Sequence, residues 1–194
     1  MTRSTEGALI RKAKQGDGDA IELLIRSHQT ALYAFMLRMT GRPETAEDIV
    51  QEAFVRVLRN LDRFDPRFRF STWLFTIAKR LYMNQVQKHA PSFESELVEV
   101  WQGKADAPEA PIVHAEVLAN ARGAIDEALL TLNAQQREIV LLFHQQNWPI
   151  SEIAAHLAMP EGTIKSHLHR ARKRMRKAIS SSALRHRQVE EVWS

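Results

Sequence analysis

The residues best placed to do chemistry are cations at helical spacing in the last quarter of the chain. In "PISEIAAHLAMPEGTIKSHLHRARKRMRKAIS", Pro149 to Ser180, the side chains Lys165, Ser166, His169 and Arg170 are followed by Lys173, Arg174, Arg176 and Lys177. From Gly162 to Arg187 there are nine Lys or Arg and no Asp or Glu. Such a run attracts phosphate rather than performing acid–base or nucleophilic chemistry. At about 100° per residue, Ile164, Leu168, Ala171 and Met175 share one side of a helix, while Ser166, His169, Arg170, Lys173, Arg176 and Lys177 take the other. A solvated basic helix would carry the same charges. Here, however, a short helix precedes it, with Ile153 and Leu157 on one face and a small Ala154. The turn between the two contains Met159, Pro160, Glu161 and Gly162. That is the pattern of a helix-turn-helix, whose second helix enters the DNA major groove. Lys165, Ser166, His169 and Arg170 are the candidates for base edges, and Lys173, Arg174, Arg176 and Lys177 for phosphates. His167 and His169 lie two apart and diverge on a helix, so no metal site is expected from them.

A second constellation is "RFDPRFRFSTW", in which Phe64, Phe68, Phe70 and Trp73 alternate with Arg63, Arg67 and Arg69. Rings for unstacked bases and cations for the backbone are what single-stranded DNA binding requires. The alternative for Phe64 and Trp73 is packing in a small core. A third group, Asp48, Gln51 and Glu52, projects from a helix whose apolar stripe holds Ile49, Val50, Ala53, Phe54, Val57, Leu58 and Leu61; taken alone it reads as a solvated polar face. No Gly-rich phosphate loop or nucleophile motif is present, and Glu47, Asp48 and Glu52 share an exposed helix without a recognisable pocket. An enzyme is not expected, nor a cofactor.

The elements that must position these groups are helices throughout, with no alternating strand pattern. The spacing predicts helices over Glu6 to Gln15, Asp19 to Met39, Pro43 onward, and Ser71 to Lys88 with Ser71 as N-cap. After them, "APSFESELVEVWQGKADAPEAP" reads as a flexible linker over residues 90–112, with Leu97, Val98, Val100 and Trp101 as a docking patch. Ser92 to Glu116 holds six acids and one Lys. A second helical unit spans 113–179, with helices at Val113 to Leu132, Ala134 to Gln146 after Asn133 as N-cap, Pro149 to Leu157 and Gly162 to Ile179. Residues 180–194 read as a tail, expected to be disordered. The expected fold is therefore all-α, two small helical domains (1–89 and 113–179) joined by an acidic linker. The length of 194 residues, 44% apolar and 26% charged, suits a folded soluble protein, and the net charge of +4 matters less than its segregation. There is no Cys, and no apolar run of signal-peptide or membrane-spanning length, so a cytoplasmic protein without membrane insertion is expected.

A helix-turn-helix alone leaves a repressor, a response-regulator output domain and a transcription initiation factor open. "AEDIVQEAFVRVLRNLDRFDP" followed by "FSTWLFTIAKRLYMNQ" closely resembles the second conserved region of bacterial sigma factors, and "LNAQQREIVLLF" with "ISEIAAHLAMPEGTIKSHLHRARKRM" resembles the fourth. Two regions joined by an acidic linker look like the extracytoplasmic-function (ECF) group of the sigma-70 family. The resemblance implies a promoter-specificity factor with no catalysis of its own. Its partners would be core RNA polymerase (the β′ clamp helices and the β flap), promoter DNA and an anti-sigma factor. It implies that Asp48, Gln51 and Glu52 grip the clamp helices. It implies minus-10 recognition by Phe64, Arg67, Phe70, Ser71, Trp73, Lys79, Arg80, Met83 and Asn84, and minus-35 recognition by Lys165, Ser166, His169, Arg170 and Lys173. The linker would thread through polymerase, with Glu94, Glu96 and Glu99 mimicking nucleic acid. Three positions depart from the family pattern. Arg80 stands where Asn is frequent, Ala158 where Gly is usual, and Phe143 where an Arg contacts phosphate, which leaves that contact to His144 or Gln145. The remaining alternative is a DNA-binding regulator that never joins polymerase.

Overall fold

Every regular element among the described residues is helical, and each is built by burying one apolar stripe. The computed structural model describes the backbone of residues 3–89 and 123–192, and side chains within 5–87 and 123–181. The chain divides into two compact units between Gly103 and Lys104. In the first, α1 (Arg3–Lys14), α2 (Gly18–Thr40), α3 (Pro43–Arg59), a short 3-10 turn (Leu61–Arg63) and α4 (Phe70–His89) follow in order. Helix α2 packs on α1 and α3, and α3 packs on α4. The core takes Leu24, Leu32, Phe35 and Met36 from α2, Ile49, Ala53 and Val57 from α3, and Leu74, Phe75 and Ala78 from α4. Their spacing of three and four residues is the one that keeps a helix stripe on one side.

The ends of these helices have identifiable stops and starts. Asp17 caps α2 by accepting from the Ala20 N–H at 3.0 Å. Gly41 ends α2 with φ 70°, a left-handed conformation that only glycine adopts without strain, and its N–H returns to Leu37 O at 2.8 Å. Pro43 opens α3, where a missing N–H is harmless. Lys14 Nζ donates to the carbonyls of Asp62 and Phe64 at 3.2 and 3.3 Å, tying the end of α1 to the turn before α4. The half-buried pair His28 Nε2 and Glu6 Oε1, 3.0 Å apart, joins α2 to α1.

Two expected boundaries shift here. Helix α1 starts at Arg3, earlier than Glu6. Helix α4 starts at Phe70, so Ser71 lies inside its first turn and is not the N-cap. The Trp73 N–H bonds Arg69 O at 3.3 Å, which puts the capping role on Arg69, because Phe70 is drawn fully into the core.

The second unit contains α5, described over residues 123–130, then α6 (Ala134–Val140), α7 (Ile150–Leu157) and α8 (Glu161–Val192). Asn133 caps α6 as expected, accepting from the Gln136 N–H at 2.8 Å. The helix expected to run on to Gln146 instead widens into a π turn over Leu141–Gln145, closed by Gln146 N–H to Leu141 O at 3.1 Å. Leu129, Ile139, Leu142, Trp148, Ile153, Ile164, Leu168 and Ala171 form the core. Within it, His156 Nε2 meets Glu138 Oε1 at 3.2 Å, with the two side chains 2% and 7% exposed, and Trp148 packs its ring against His156.

Helix α8 does not stop at Ile179: the expected disordered tail continues the helix to Val192. No Gly or Pro stands between Ser180 and Val192 to break it, and Ser181 folds its hydroxyl back onto Lys177 O at 2.9 Å. The expected linker, 90–112, and its patch Leu97 to Trp101 lie outside the described residues, as does the start of the helix expected from Val113. No helix among the described residues is long and apolar enough to cross a membrane.

The Asp17 cap gives a direct test of local energetics. Asp17→Ala should lower the unfolding free energy by about 1 kcal/mol, and Asp17→Asn by clearly less, in urea titrations followed by circular dichroism.

Candidate nucleic-acid and polymerase interfaces

In the first unit the end of α3, the 3-10 turn and the outer row of α4 enclose an open cleft of about 320 Å³, lined by Arg56, Asn60, Arg63, Trp73, Ile77 and Arg80. The α4 contributors recur at i, i+4 and i+7, so they stand on one row, and Asn84 continues it. Trp73 is half-buried, and its ring is held by Phe64 at 5.3 Å and Phe70 at 6.0 Å between centroids. Three guanidinium groups and a fixed indole in one recess suit a nucleotide, with stacking for the base and cations for its phosphates. Of the expected minus-10 residues, Trp73 and Arg80 meet in this cleft. Arg56, Asn60 and Arg63 were not among them, although their i, i+4, i+7 spacing was readable.

The other expected members separate. Phe64 is 6% exposed and Phe70 fully buried, the two rings meeting edge to face at 5.7 Å. They are core residues that brace Trp73, and neither offers a face to a base; their burial corrects the expectation that they stack on DNA. Phe68, 63% exposed, is the open ring of the turn. Arg67 is exposed but held by Asp65, with Nε and Nη2 on Oδ2 at 2.8 and 2.6 Å. Hydrogen bonding to Arg67 holds the Asp65 carboxyl below its usual range and raises the guanidinium in turn. Met83 and Asn84 are exposed and Ser71 and Lys79 half-buried. Lys79 sits about 120° around α4 from Trp73, off the cleft row.

Asp48, Gln51 and Glu52 are all exposed on α3, and Val55, 40% exposed, continues their row. Glu52 Oε1 accepts from Arg56 Nε at 2.6 Å, so one end of this pair lies on the acidic face and the other in the cleft.

In the second unit α7 and α8 form the helix-turn-helix. Ile153 and Ala154 of α7 are buried, as are Ile164, Leu168 and Ala171 of α8. The opposite face of α8 is open: Lys165, Ser166, His169, Arg170, Lys173, Arg174, Arg176 and Lys177 are all exposed. Pro160 O accepts from the N–H groups of Thr163 and Ile164 and starts the helix. Ser166 Oγ donates to Gly162 O at 2.9 Å, which leaves its lone pairs free to accept.

Comparison with known proteins decides among the regulators that carry such a motif. Residues 24–91 match the model of sigma-70 region 2, and residues 122–175 that of sigma-70 region 4. The ECF RNA polymerase sigma factor SigW of Bacillus subtilis is 33% identical over 180 residues, 88% of this chain and 94% of that protein. This chain belongs to the ECF group of RNA polymerase sigma factors. The RNA polymerase sigma factor CarQ of Myxococcus xanthus is 27% identical, over 90% of this chain and 98% of its own length. Among solved structures, the sigma factor RpoE of Bartonella quintana, determined with the anti-sigma factor NepR, shares the fold with a TM-score of 0.64 at 24% identity. That match spans 82% of this chain and 96% of the other. CnrH, determined with the cytosolic domain of CnrY, shares it at 0.65 and 22%, over 90% and 96%.

In this sigma factor two departures from the family pattern acquire a physical content. Ala158, in the turn of the motif, adopts φ 52°, ψ 45°, a left-handed conformation that disfavours any Cβ. The turn keeps its shape all the same, with Met159 N–H on Ala154 O at 2.9 Å. Beside Phe143, His144 is turned towards Arg172 of α8. Its ring is pushed below the ordinary 6.5, first by burial and then by the neighbouring Arg172 guanidinium. Nε2 accepts from Arg172 Nε at 3.2 Å. Only the neutral ring can accept there, so the bond is present above the ordinary histidine pKa and is lost as the pH falls through the lowered value.

Ala158→Gly should stabilise the second unit by up to about 1 kcal/mol without altering DNA specificity. Urea unfolding of the full chain, followed by Trp148 fluorescence in variants lacking the other tryptophans, would measure it.

Proposed function

We propose that this sigma factor docks on core RNA polymerase through the α3 face of Asp48, Gln51 and Glu52, opens the minus-10 element with the cleft of its first unit, and reads the minus-35 duplex with α8. The observation that carries the reading is the pairing of two different nucleic-acid surfaces in one chain. One is a recess with an immobilised indole and three Arg, suited to an unstacked strand. The other is an exposed cationic helix face of major-groove dimensions. A regulator that binds only duplex DNA has no use for the first. An acidic and amide-bearing face on α3 is complementary to a basic partner helix, which suits the β′ clamp, and the second unit would meet the β flap.

In minus-10 opening, Trp73 would stack a base of the non-template strand while Arg56, Arg63 and Arg80 hold its phosphates, with Asn60 and Asn84 placed to hydrogen-bond base edges. On α8, Lys165, Ser166, His169 and Arg170 would read bases, with Lys173, Arg174, Arg176 and Lys177 on the backbone. Control by an anti-sigma protein, in response to an environmental or envelope stress, completes the proposal; what supports the first part is that a sigma factor of the same fold was solved with the anti-sigma factor NepR. The working compartment would be the cytoplasm, where polymerase is.

Run-off transcription with purified core polymerase, this chain and fragments of its own genome tests the reading. Transcripts sharing upstream elements are expected; sequence-specific DNA binding without transcripts or association with core would make the protein a polymerase-independent regulator. Two sets of variants separate its parts. Changing Asp48 and Gln51 together to Ala should abolish association with core and leave folding unchanged. Arg63→Ala and Arg80→Ala should instead permit association while reducing promoter melting, read as permanganate reactivity of unpaired thymines, by about tenfold each.

A further inference from the structure

Arg172 belongs to neither the base-reading nor the phosphate-binding set above, yet among the described side chains of α8 it is a cation held by two groups of another element. It is exposed, and it lies about 80° around the helix from Ile164, next to Lys165 at about 100° and Arg176 at about 120°. It therefore borders the face assigned to DNA, on the edge facing the π turn. Two rings of that turn hold it. Its guanidinium carbon stands 5.5 Å from the centre of the Phe143 ring, and its Nε donates to His144 Nε2 at 3.2 Å. Phe143 and His144 meet edge to face at 4.9 Å, so the two supports also brace each other.

The kind of support is informative. Arg56 is paired with Glu52, Arg67 with Asp65 and Lys165 with Glu161. Arg172, by contrast, is held by an aromatic face and a neutral imidazole, and among the described residues no carboxylate lies within ion-pair distance of it. Its side chain is restrained while its charge stays uncompensated. Of its five N–H donors, Nε serves His144, which leaves the four on the terminal nitrogens. A restrained guanidinium with free donors has already given up the entropy that binding an anion would otherwise remove.

We propose that Arg172 is a phosphodiester contact of the minus-35 duplex, set in place by Phe143 and His144 of the π turn. The inference rests on the reading that α8 enters the major groove. It also accounts for the departure at position 143: the aromatic ring there does not bind phosphate itself but carries a cation supplied by α8. Phe143 and His144 are positioning residues in this scheme.

The test uses holoenzyme assembled from core polymerase and the full chain, binding to promoter duplex over a series of salt concentrations. Each phosphate neutralised adds about 0.9 to the slope of log affinity against log salt. Arg172→Ala should weaken binding several-fold, equally for the matched and a scrambled minus-35 element, and reduce that slope by about 0.9. Arg172→Lys should keep the slope while losing part of the affinity. His144→Ala and Phe143→Leu should likewise weaken binding with the slope intact, since the cation remains. An unchanged slope in Arg172→Ala, or a loss confined to the matched element, would overturn the proposal. So would a lowered melting temperature in Arg172→Ala with normal affinity in Arg172→Gln, which would mark a structural tie only. Lys173→Ala serves as the control for the underlying reading. A loss there but not in Arg172→Ala defeats the proposal alone, whereas holoenzyme that fails to protect the minus-35 region at all defeats both.

Discussion

Burial of the Phe70 ring is the interaction on which the first unit turns. Fully enclosed, and in ring contact with His28, Phe64 and Trp73, it decides where α4 begins and which way the row of Trp73, Ile77 and Arg80 faces. Removing an aromatic side chain of this size from water contributes on the order of 2–3 kcal/mol. That is far more than an exposed ion pair such as Arg67 with Asp65, typically below 1 kcal/mol. The apolar cluster therefore sets the geometry, and the charged groups around the cleft occupy positions it dictates. Lys14 adds a second constraint by fastening α1 to the carbonyls just before α4, so the recess is braced on both sides by groups that never touch it.

The second unit solves the same problem with a different device. Its apolar rows on α6, α7 and α8 close a small core around Trp148, and the basic arc of α8 is what remains outside. Among the described residues this core encloses the polar pair Glu138 with His156, matched to each other so that neither is buried without a partner. The π turn then supplies one more residue than a regular helix would, which swings the side chains beyond it by about 100°. Within that turn Phe143 and His144 stand against Arg172 while Leu141 and Leu142 remain in the core.

These mechanisms explain what could be read from the sequence. The stripes Ile49, Ala53, Val57 and Ile164, Leu168, Ala171 were legible because a 3.6-residue period is a local property. The Asn133 cap follows from a single residue and its neighbours, whereas a left-handed turn at Ala158 was suggested only by the family resemblance, since alanine itself disfavours that conformation. Residue type, however, does not say which side of an aromatic faces inward. Phe70, and Phe64 with core packing as its alternative, thus read as stacking rings when both are buried against Trp73, and Ser71 read as a cap because the pull of Phe70 on the helix start is a tertiary effect. The cleft of Arg56, Asn60, Arg63 and Arg80 needs two helices to meet, and the contact between His144 and Arg172 spans 28 residues and a change of helical register. The continuation of α8 past Ile179 was obscured by a run of Ser that weakens a helix without ending it.

The pair formed by Glu52 and Arg56 sits on the boundary between two surfaces. Its carboxylate belongs to the acidic row of α3, its guanidinium to the wall of the cleft. A ligand that competes for Arg56 Nε or for Glu52 Oε1 must break this bond, and to that extent occupancy of one surface and occupancy of the other would be thermodynamically linked, with the effect equal in both directions. An exposed pair four residues apart on a helix contributes about 0.3–0.5 kcal/mol, which bounds the linkage to roughly a factor of two. A single turn of helix would thereby couple the two faces weakly, without any change of shape, for ligands that compete for this bond.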